Sequence, residues 1–419
     1  MKTFSKHYLA IVLTSSLFLS ACNDDDDKKP QPQVVDQTYF QAERPYTAGS
    51  LPEQAASVSV FDYLMPSVTD PKKLVTATGK IFFPKTAMPT GGWRVVVWNH
   101  GTVGIGDTCA PSQQPIGTNF GKLAELLLAE GYVIVAPDYE GLGTAGIHPY
   151  LNLSSAANSA LYAVKAVHNH YKNLHPSWVS IGQSQGGHAA LSVAEYAESD
   201  PNYKATVATA PASSLGYILK VVAPQAIQQL LLAEAAGLRP KGASIAVYAD
   251  LLSYMALAGI GIKAYQPDFD YGALMHDRAK AIALSAEGTT GDNGICLGDL
   301  TNMYRQDIAT FLAENEGKTV LDYPGPKDKF DENPVVAAFL TNNQPATKRF
   351  SKPIYVVQGK EDAAVPYQVT ENLVNQSNNV LGTTPKIKLD VVDGASHTQA
   401  IVERHTEIVD FFKVHLPPK

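Results

Sequence analysis

The chain has 419 residues, of which 45% are hydrophobic and 17% are charged. This hydrophobic fraction is ordinary for a globular protein, so the composition excludes wholesale disorder and collagen-like structure. The formal net charge is −7 and the body of the chain has no Lys- or Arg-rich block, which argues against nucleic acid as the main partner.

The N-terminus has the layout of a secretory signal. Lys2 and Lys6 form a basic region, and residues 9–18 form an apolar segment that is too short to span a bilayer. The segment ends in Leu-Ser-Ala-Cys, which resembles the bacterial lipobox. The resemblance implies cleavage before Cys22 and attachment of a lipid such as palmitate to that cysteine. An ordinary signal peptide that contains a cysteine is the alternative.

The residues after Cys22 are typical of a flexible tether. Residues 23–33 are charged, contain proline and include no apolar side chain, so they have nothing to bury in a core. We therefore predict a signal peptide over residues 1–21, a tether over 22–40 and a folded domain over 41–419. On this interpretation the protein is exported and held by its lipid at a bacterial membrane, on the periplasmic or cell-surface side.

Short β-rich segments then alternate with amphipathic helical segments, which is typical of a mostly parallel sheet flanked by helices. Several of the β-rich segments are continuous apolar runs, as expected for strands covered on both faces. In chain order, the predicted strands are 76–83, 94–99, 132–137, 178–181, 205–210, 353–358 and 386–392. The predicted helices are 119–130, 154–170, 187–198, 368–376 and a last one from about 398 to 414.

The alternation stops between about residues 213 and 334. This stretch has helical character and includes two long apolar segments, residues 227–236 and 245–262, but no strand signal. Because strands resume after it and complete the same pattern, we predict a helical cap inserted into one sheet-containing domain. A separate domain is the alternative.

A candidate nucleophile lies where one predicted strand meets a helix of small residues. The strand ends at Ile181 and runs into Gly182-Gln-Ser184-Gln-Gly186. The pattern G-x-S-x-G between a strand and a helix is typical of a catalytic serine on a sharp turn, where larger flanking residues would clash. The motif alone arises easily by chance, and the strand–turn–helix context makes it specific. We predict Ser184 as the nucleophile.

A serine nucleophile needs a general base, and the base needs an acid that holds its tautomer. In α/β-hydrolases the acid and then the histidine follow the serine, each after a late strand. The strand ending at Gly359 is followed by G-x-x-D-x-x-V-P, which makes Asp362 the predicted acid and Glu361 the alternative. His397 precedes the last helix and is the predicted base. This order predicts an α/β-hydrolase fold, with a mostly parallel sheet, flanking helices and an inserted helical cap.

The predicted strand over residues 94–99 ends in Asn-His-Gly-Thr. In this fold the loop there supplies one backbone N–H of the oxyanion hole, and the residue after the nucleophile supplies the other. We therefore predict the N–H groups of Thr102 and Gln185 as the oxyanion hole, with Val103 as the alternative to Thr102. Such a donor typically stabilises the transition state by ~3–4 kcal/mol.

Further motifs resemble the secretory lipases of fungi and their bacterial relatives, the Candida antarctica lipase A type. They are Asn-His-Gly-Thr with the cysteine loop 107–111, and Ala-Pro-Asp-Tyr-Glu-Gly-Leu-Gly at 136–143 with His-Pro-Tyr at 148–150. The resemblance covers roughly residues 75–415 and includes the triad order and a helical cap before the last strands. It implies hydrolysis of carboxylic esters, often lipids, without a cofactor. Gln183 and Gln185 depart from the small residues common beside the serine, which affects the expected substrate preference.

The resemblance also implies a disulfide between Cys109 and Cys296, and an exported chain permits one. The bond would tie the loop after the oxyanion strand to the end of the cap, and it would be worth ~2–5 kcal/mol. Two buried free thiols are the alternative. Three cysteines in all are too few for a scaffold built on disulfides.

Two other patterns suggest cofactors but fail on context. Residues 141–146 match G-x-G-x-x-G, yet a His-Pro pair interrupts the chain before the next helix and no acidic residue follows until Glu195. His168, His170 and His175 resemble a metal cluster, but they lie at the end of a predicted helix where solvent exposure is expected, and H-E-x-x-H is absent from the sequence. We predict no metal and no cofactor.

The motifs together predict a serine esterase or lipase that acts on a small-molecule ester or a lipid. A serine peptidase or amidase on the same triad is the first alternative, and the cap shows no obvious anchor for a charged peptide terminus. A non-catalytic lipoprotein on a hydrolase scaffold is the second, and it would require a broken triad. A monomer is favoured, while acyl chain length and alcohol identity stay open.

Overall fold

A computed structural model describes residues 38–289 and 291–418. The predicted signal peptide, the lipidation site Cys22 and most of the predicted tether lie outside the described residues. The sequence predicts a tether that extends to residue 40. However, Phe40 is the first residue of a strand and is buried against the core, so the folded part begins before residue 41.

A nine-stranded sheet forms the centre of the part of the chain that the structure describes. Its strands follow one another in space in the order β1-β2-β3-β5-β4-β6-β7-β8-β9. The β1–β2, β2–β3 and β3–β5 pairs are antiparallel, and the other pairs are parallel. The strands are β1 Phe40–Pro45, β2 Ala55–Pro66, β3 Leu74–Pro84, β4 Trp93–Asn99, β5 Val133–Pro137, β6 Leu174–Gln183, β7 Tyr203–Thr209, β8 Ile354–Gly359 and β9 Lys388–Val392.

Helices cover both faces of the sheet and form the cap between β7 and β8. They are α1 Thr118–Ala129, α2 Leu153–His170, α3 Gln185–Tyr196, α4 Leu215–Tyr217, α5 Ala223–Ala235, α6 Ala243–Lys263, α7 Asp277–Ala286, α8 Leu297–Glu314, α9 Pro334–Asn342, α10 Tyr367–Asn375, α11 Gln399–Glu403 and α12 His405–His415. Helices α4 to α9 belong to the cap. No strand lies between β7 and β8 among the described residues.

The continuous apolar strands pack on both faces, because successive side chains of a strand point to opposite sides. In β4, Val95 and Val97 join one core cluster, together with residues of α2 and α3. Val96 and Trp98 join the other cluster, with residues of α1, α11 and α12. The fold predicted from the sequence is therefore confirmed, and helices pack against both faces of its sheet.

All seven predicted strands are present as β3 to β9, but β1 and β2 were not predicted. Strand β1 lies at the edge of the sheet and exposes every residue after Phe40, so it carries little apolar signal. The last helix, predicted as one element, is interrupted at Arg404. That residue leaves the helical conformation, and its Nε donates to Asp390 Oδ2 at 3.0 Å.

The cap has a hydrophobic cluster of its own, in which α6 is the most buried helix. The helical segment continues through α9 to Asn342, beyond the predicted boundary at 334. The side chain of Asn333 caps α9 by accepting from the N–H groups of Val335 and Val336, while Val336 and Phe339 bury their side chains in the cap cluster. These contacts assign α9 to the cap.

Candidate active site

The backbone between β6 and α3 turns sharply at Ser184. This serine has φ +60° and ψ −117°, a conformation that costs a non-glycine residue about 1–3 kcal/mol and persists only when its surroundings enforce it. Its N–H donates to the Thr209 carbonyl at 2.9 Å, and its own carbonyl accepts from the N–H of Ala212 at 3.2 Å. The end of β7 and the loop that follows it thus fix the turn.

Two glycines leave room for this turn. A Cβ atom on Gly182 would lie 2.0 Å from the Gly186 carbonyl oxygen, and one on Gly186 would lie 1.9 Å from the Asn99 carbonyl oxygen. Both distances are far shorter than any non-bonded contact allows. Only glycine therefore fits at either position, because the two ends of the turn approach each other at Gly182 and the backbone of β4 approaches the turn at Gly186.

The predicted acid and base are in direct contact. His397 Nδ1 lies 2.7 Å from Asp362 Oδ2, and the side chain of Asp362 is wholly buried. The same carboxylate accepts from the N–H groups of Ala364 and Val365 and from Gln358 Nε2, at 2.8–2.9 Å. A carboxylate offers about four acceptor sites, and all are used here. With Nδ1 donating to the carboxylate, the His397 Nε2 atom is the one available to accept a proton.

The loop that carries His397 rests on the nucleophile turn. Gln183, the residue before Ser184, donates from its side-chain amide to the backbone carbonyl of His397 at 3.2 Å. The alternative acid, Glu361, is about half exposed and forms an ion pair with Arg239 of the cap at 3.0 Å. Its carboxylate is therefore engaged elsewhere, and the geometry favours Asp362 as the partner of His397.

Partly buried hydrogen bonds hold the loop that carries the first candidate oxyanion donor. His100 Nδ1 lies 2.7 Å from the Gly101 carbonyl oxygen, which belongs to the same peptide unit as the Thr102 N–H. The Thr102 hydroxyl lies 2.8 Å from the hydroxyl of Tyr150. The other candidate, Val103, accepts on its carbonyl from the N–H of Leu297 at the start of α8. The peptide of Thr102 is thus fixed from two sides.

The second candidate donor belongs to Gln185, whose side chain is held by His148. The Gln185 Nε2 atom lies 2.9 Å from His148 Nε2, and His148 Nδ1 lies 2.8 Å from the Glu140 carbonyl oxygen. Because a carbonyl can only accept, Nδ1 carries the proton and Nε2 accepts from Gln185. Burial lowers the pKa of His148 to about 3, which keeps the ring neutral and able to accept.

The segment from Asp138 to Tyr150 therefore supports both donors. In the sequence, His148 and Tyr150 are part of the motif at 148–150, which gives neither residue a role. Their spacing gives no local signal, because each one bonds to a residue far away in the sequence, Gln185 and Thr102 respectively. The glycine-rich stretch 141–146 lies in this segment as turns and bends and does not begin a helix, which removes the dinucleotide interpretation.

The disulfide implied by the resemblance is formed between Cys109 and Cys296, with the two Cα atoms 5.4 Å apart. Gly104 and Cys296 also form an isolated antiparallel bridge beside it. The loop that follows the oxyanion strand is thereby joined to the start of α8. Among the described residues, no group of three or more His, Cys, Asp or Glu side chains is arranged to hold a metal ion.

An apolar pocket of about 90 Å³ contains Ser184. Cap residues form most of its wall, and Tyr150 and Leu151 close it on the sheet side. Ala364 and Val365, which bond to the predicted acid through their N–H groups, also reach this wall. The pocket therefore presents an apolar surface next to the serine. It offers little for a charged ligand.

Comparisons with known proteins agree with this geometry. A sequence model of the alpha/beta hydrolase family matches residues 100–411, which include all the candidate residues from Thr102 to His397. A search of curated protein sequences finds no match.

Solved structures similar to this chain include hydrolases. One is a ligand-bound form of the rice cell wall degrading esterase LipA from Xanthomonas oryzae, at 17% identity and a TM-score of 0.61, covering 90% of this chain and 98% of that one. Another is Candida antarctica lipase A in its closed state, at 15% identity and a TM-score of 0.57, covering 89% of this chain and 83% of that one. At such identities the likeness shows the fold alone.

Proposed function

The chain belongs to the alpha/beta hydrolase family, and on that premise we propose that it is a serine carboxylic-ester hydrolase acting through an acyl-enzyme. The observation that carries the proposal is the 2.7 Å contact between His397 and the buried Asp362, on a loop bonded to the turn of Ser184. The esterase and lipase named among the similar structures support the same reaction class.

In the proposed reaction, the Ser184 oxygen attacks the ester carbonyl carbon while His397 Nε2 takes the serine proton. Asp362 keeps the His397 proton on Nδ1 and stabilises the imidazolium that forms. The N–H groups of Thr102 and Gln185 hold the negative charge that develops on the carbonyl oxygen. His397 then gives its proton to the departing alcohol. In the second half of the reaction, His397 takes a proton from water while the water oxygen attacks the acyl-enzyme carbonyl. The bond to Ser184 then breaks, and the serine oxygen recovers that proton from His397.

The apolar wall of the pocket at Ser184 favours an ester with an apolar acyl chain. Among the described residues, the wall of this pocket includes no charged side chain that could anchor a peptide terminus, so the pocket at Ser184 does not favour an amidase or peptidase. We further propose that the chain is exported and anchored through Cys22. The Cys109–Cys296 disulfide supports an oxidising compartment.

The test is hydrolysis of p-nitrophenyl esters from acetate to palmitate by a soluble form that begins at Val34. Ser184→Ala is expected to abolish turnover while the protein keeps its melting temperature within a few degrees. Ser285→Ala, at an exposed position on α7, is the matched control and is expected to retain full activity. A folded wild-type protein that is inactive on every ester would refute the proposal.

A further inference from the structure

A second pocket, of about 270 Å³, lies beside His397 and is separate from the apolar pocket at Ser184. Its wall includes His397 with its chain neighbours Ser396 and Thr398, and the α6 residues Asp250 and Tyr254. The two pockets share Tyr254, Leu251 and Ala364, so they meet at the predicted triad. An ester bound across this junction has one end in each pocket.

Resting on the proposed function, we infer that the pocket beside His397 takes the alcohol part of the ester, and that this alcohol is neutral and keeps free hydroxyl groups. The first half follows from the reaction. His397 must deliver its proton to the departing alcohol oxygen, so that oxygen leaves on the side of the imidazole. The narrow apolar pocket at Ser184 is then left for the acyl chain.

The second half follows from the polar groups in the wall. The Asp250 carboxylate accepts a long hydrogen bond of 3.4 Å from Arg305 and one from the Thr301 hydroxyl, and its side chain is 39% exposed. A carboxylate can accept about four hydrogen bonds, so acceptor capacity is left for ligand hydroxyl groups. Asp250 and His397 line the same pocket. Burial raises the pKa of the Asp250 carboxyl, while Arg305, the Thr301 hydroxyl and His397 oppose that rise.

Tyr254 adds a donor at the junction of the two pockets. Its hydroxyl has no hydrogen-bond partner in the described part of the chain, although most of the side chain is buried. Burial, then the Asp250 and Asp362 carboxylates, raise its pKa, so it stays protonated and able to donate. An acceptor and a donor side by side suit a hydroxyl group, which needs both.

The charged side chains in the pocket wall narrow the class of alcohol further. The Asp250 and Glu361 carboxylates both line this pocket, and their guanidinium partners Arg305 and Arg239 contact them from other parts of the cap. A phosphate or carboxylate on the alcohol would meet like charge here. A purely apolar alcohol would remove water from the Tyr254 hydroxyl and from the remaining acceptor sites of the Asp250 carboxylate without replacing its hydrogen bonds, which costs free energy. A neutral polyol avoids both costs.

The experiment compares two alcohols as acceptors for one acyl-enzyme. The enzyme is acylated with its best p-nitrophenyl ester in the presence of glycerol or of 1-propanol at equal concentration. In the transfer step the alcohol oxygen attacks the acyl carbonyl and its proton passes to His397. The bond to Ser184 then breaks, and the serine oxygen recovers that proton. Because acylation is common to both reactions, the yields of glyceryl and propyl ester report the alcohol site alone.

We expect the glyceryl ester to exceed the propyl ester by roughly tenfold, since a hydrogen bond to a charged group is worth that factor or more. Asp250→Asn is expected to bring the ratio to within about threefold of unity, and Tyr254→Phe, which removes only the hydroxyl, is expected to lower it too. Asp268→Asn is the matched control on the exposed surface of the cap and should keep the wild-type ratio.

The outcomes separate this inference from the proposed function. Release of nitrophenol with equal yields of the two esters, or a ratio that neither variant changes, would overturn the alcohol site and leave the esterase standing. A higher yield of the propyl ester would show an apolar site and would overturn it as well. If no ester releases nitrophenol, the proposed function itself is refuted.

Discussion

Replacing Asp362 with asparagine is the sharpest test of the triad. The wild-type carboxylate accepts two hydrogen bonds on each oxygen: Oδ1 from the N–H groups of Ala364 and Val365, and Oδ2 from Gln358 Nε2 and His397 Nδ1. Asparagine keeps a single acceptor oxygen, which the two backbone N–H groups hold in place. Its NH₂ group then faces two donors.

A neutral imidazole resolves this conflict by moving its proton to Nε2, so that Nδ1 accepts from the new amide. The Nε2 atom then carries a proton and no longer serves as a base for Ser184. We expect kcat to fall about 10⁴-fold, which is about 5.4 kcal/mol at 1.36 kcal/mol per tenfold change. Gln358 also loses an acceptor in a buried site, which lowers the free energy of unfolding by about 1–3 kcal/mol.

The assay is kcat and KM on the best p-nitrophenyl ester, with the melting temperature measured on the same samples. Glu361→Gln is the matched control, because it changes the adjacent acid in the same way. Its exposed ion pair with Arg239 is worth about 0–1 kcal/mol, so a loss of activity below threefold is expected. If Asp362→Asn keeps more than a tenth of the activity, or if Glu361→Gln loses more than Asp362→Asn, the assignment of the acid is refuted.

Three further predictions follow from the surroundings of the site. His148→Phe removes the acceptor that holds Gln185, so kcat is expected to fall roughly tenfold with little change in KM in steady-state assays, and wild-type kcat would contradict a positioning role. Replacing Cys109 and Cys296 together with serine is expected to lower the free energy of unfolding by ~2–5 kcal/mol in urea titrations, and an unchanged value would show that the bond contributes nothing. Burial lowers the pKa of His148 to about 3 and the pKa of His188, a buried residue of α3, to about 4. In the unfolded chain the pKa of a histidine is about 6.5. The free energy of unfolding should therefore fall as the pH drops from about 6.5 towards 4, and calorimetry showing a flat profile over that range would contradict the burial of neutral rings.

The features that the sequence predicts well are those with a local physical cause. Strands β4, β5 and β8 contain apolar runs because both of their faces are covered, and such a run can be read within each strand. The Ser184 turn is partly local: Gly182 leaves room for the Gly186 carbonyl of the same turn, whereas Gly186 leaves room for the Asn99 carbonyl of β4. Asp362 and His397 are predicted from chain order, from the G-x-x-D-x-x-V-P pattern and from the place of His397 before the last helix, and the structure adds their 2.7 Å contact.

The features that sequence reasoning missed depend on distant parts of the chain. Strand β1 has few apolar residues and depends on its pairing with β2, so no pattern within it indicates a strand. In α6, apolar residues dominate all around the helix, and nothing in the sequence distinguishes Asp250 and Tyr254 from chance polar positions. Their importance arises only because the packing of the cap turns that side of α6 towards His397.

The supports around the oxyanion loop also bear on how substrate enters. At its α8 end the cap is joined to this loop by the Cys109–Cys296 disulfide and by the bond from the Leu297 N–H to the Val103 carbonyl. Movement there would disturb the candidate oxyanion hole. The connection between α5 and α6 is exposed, and the Arg239–Glu361 pair that links it to the acid loop is about half exposed and weak. Any opening of the cap is therefore expected at the α5 side, where the pocket at Ser184 can widen while the peptides that stabilise the transition state stay fixed.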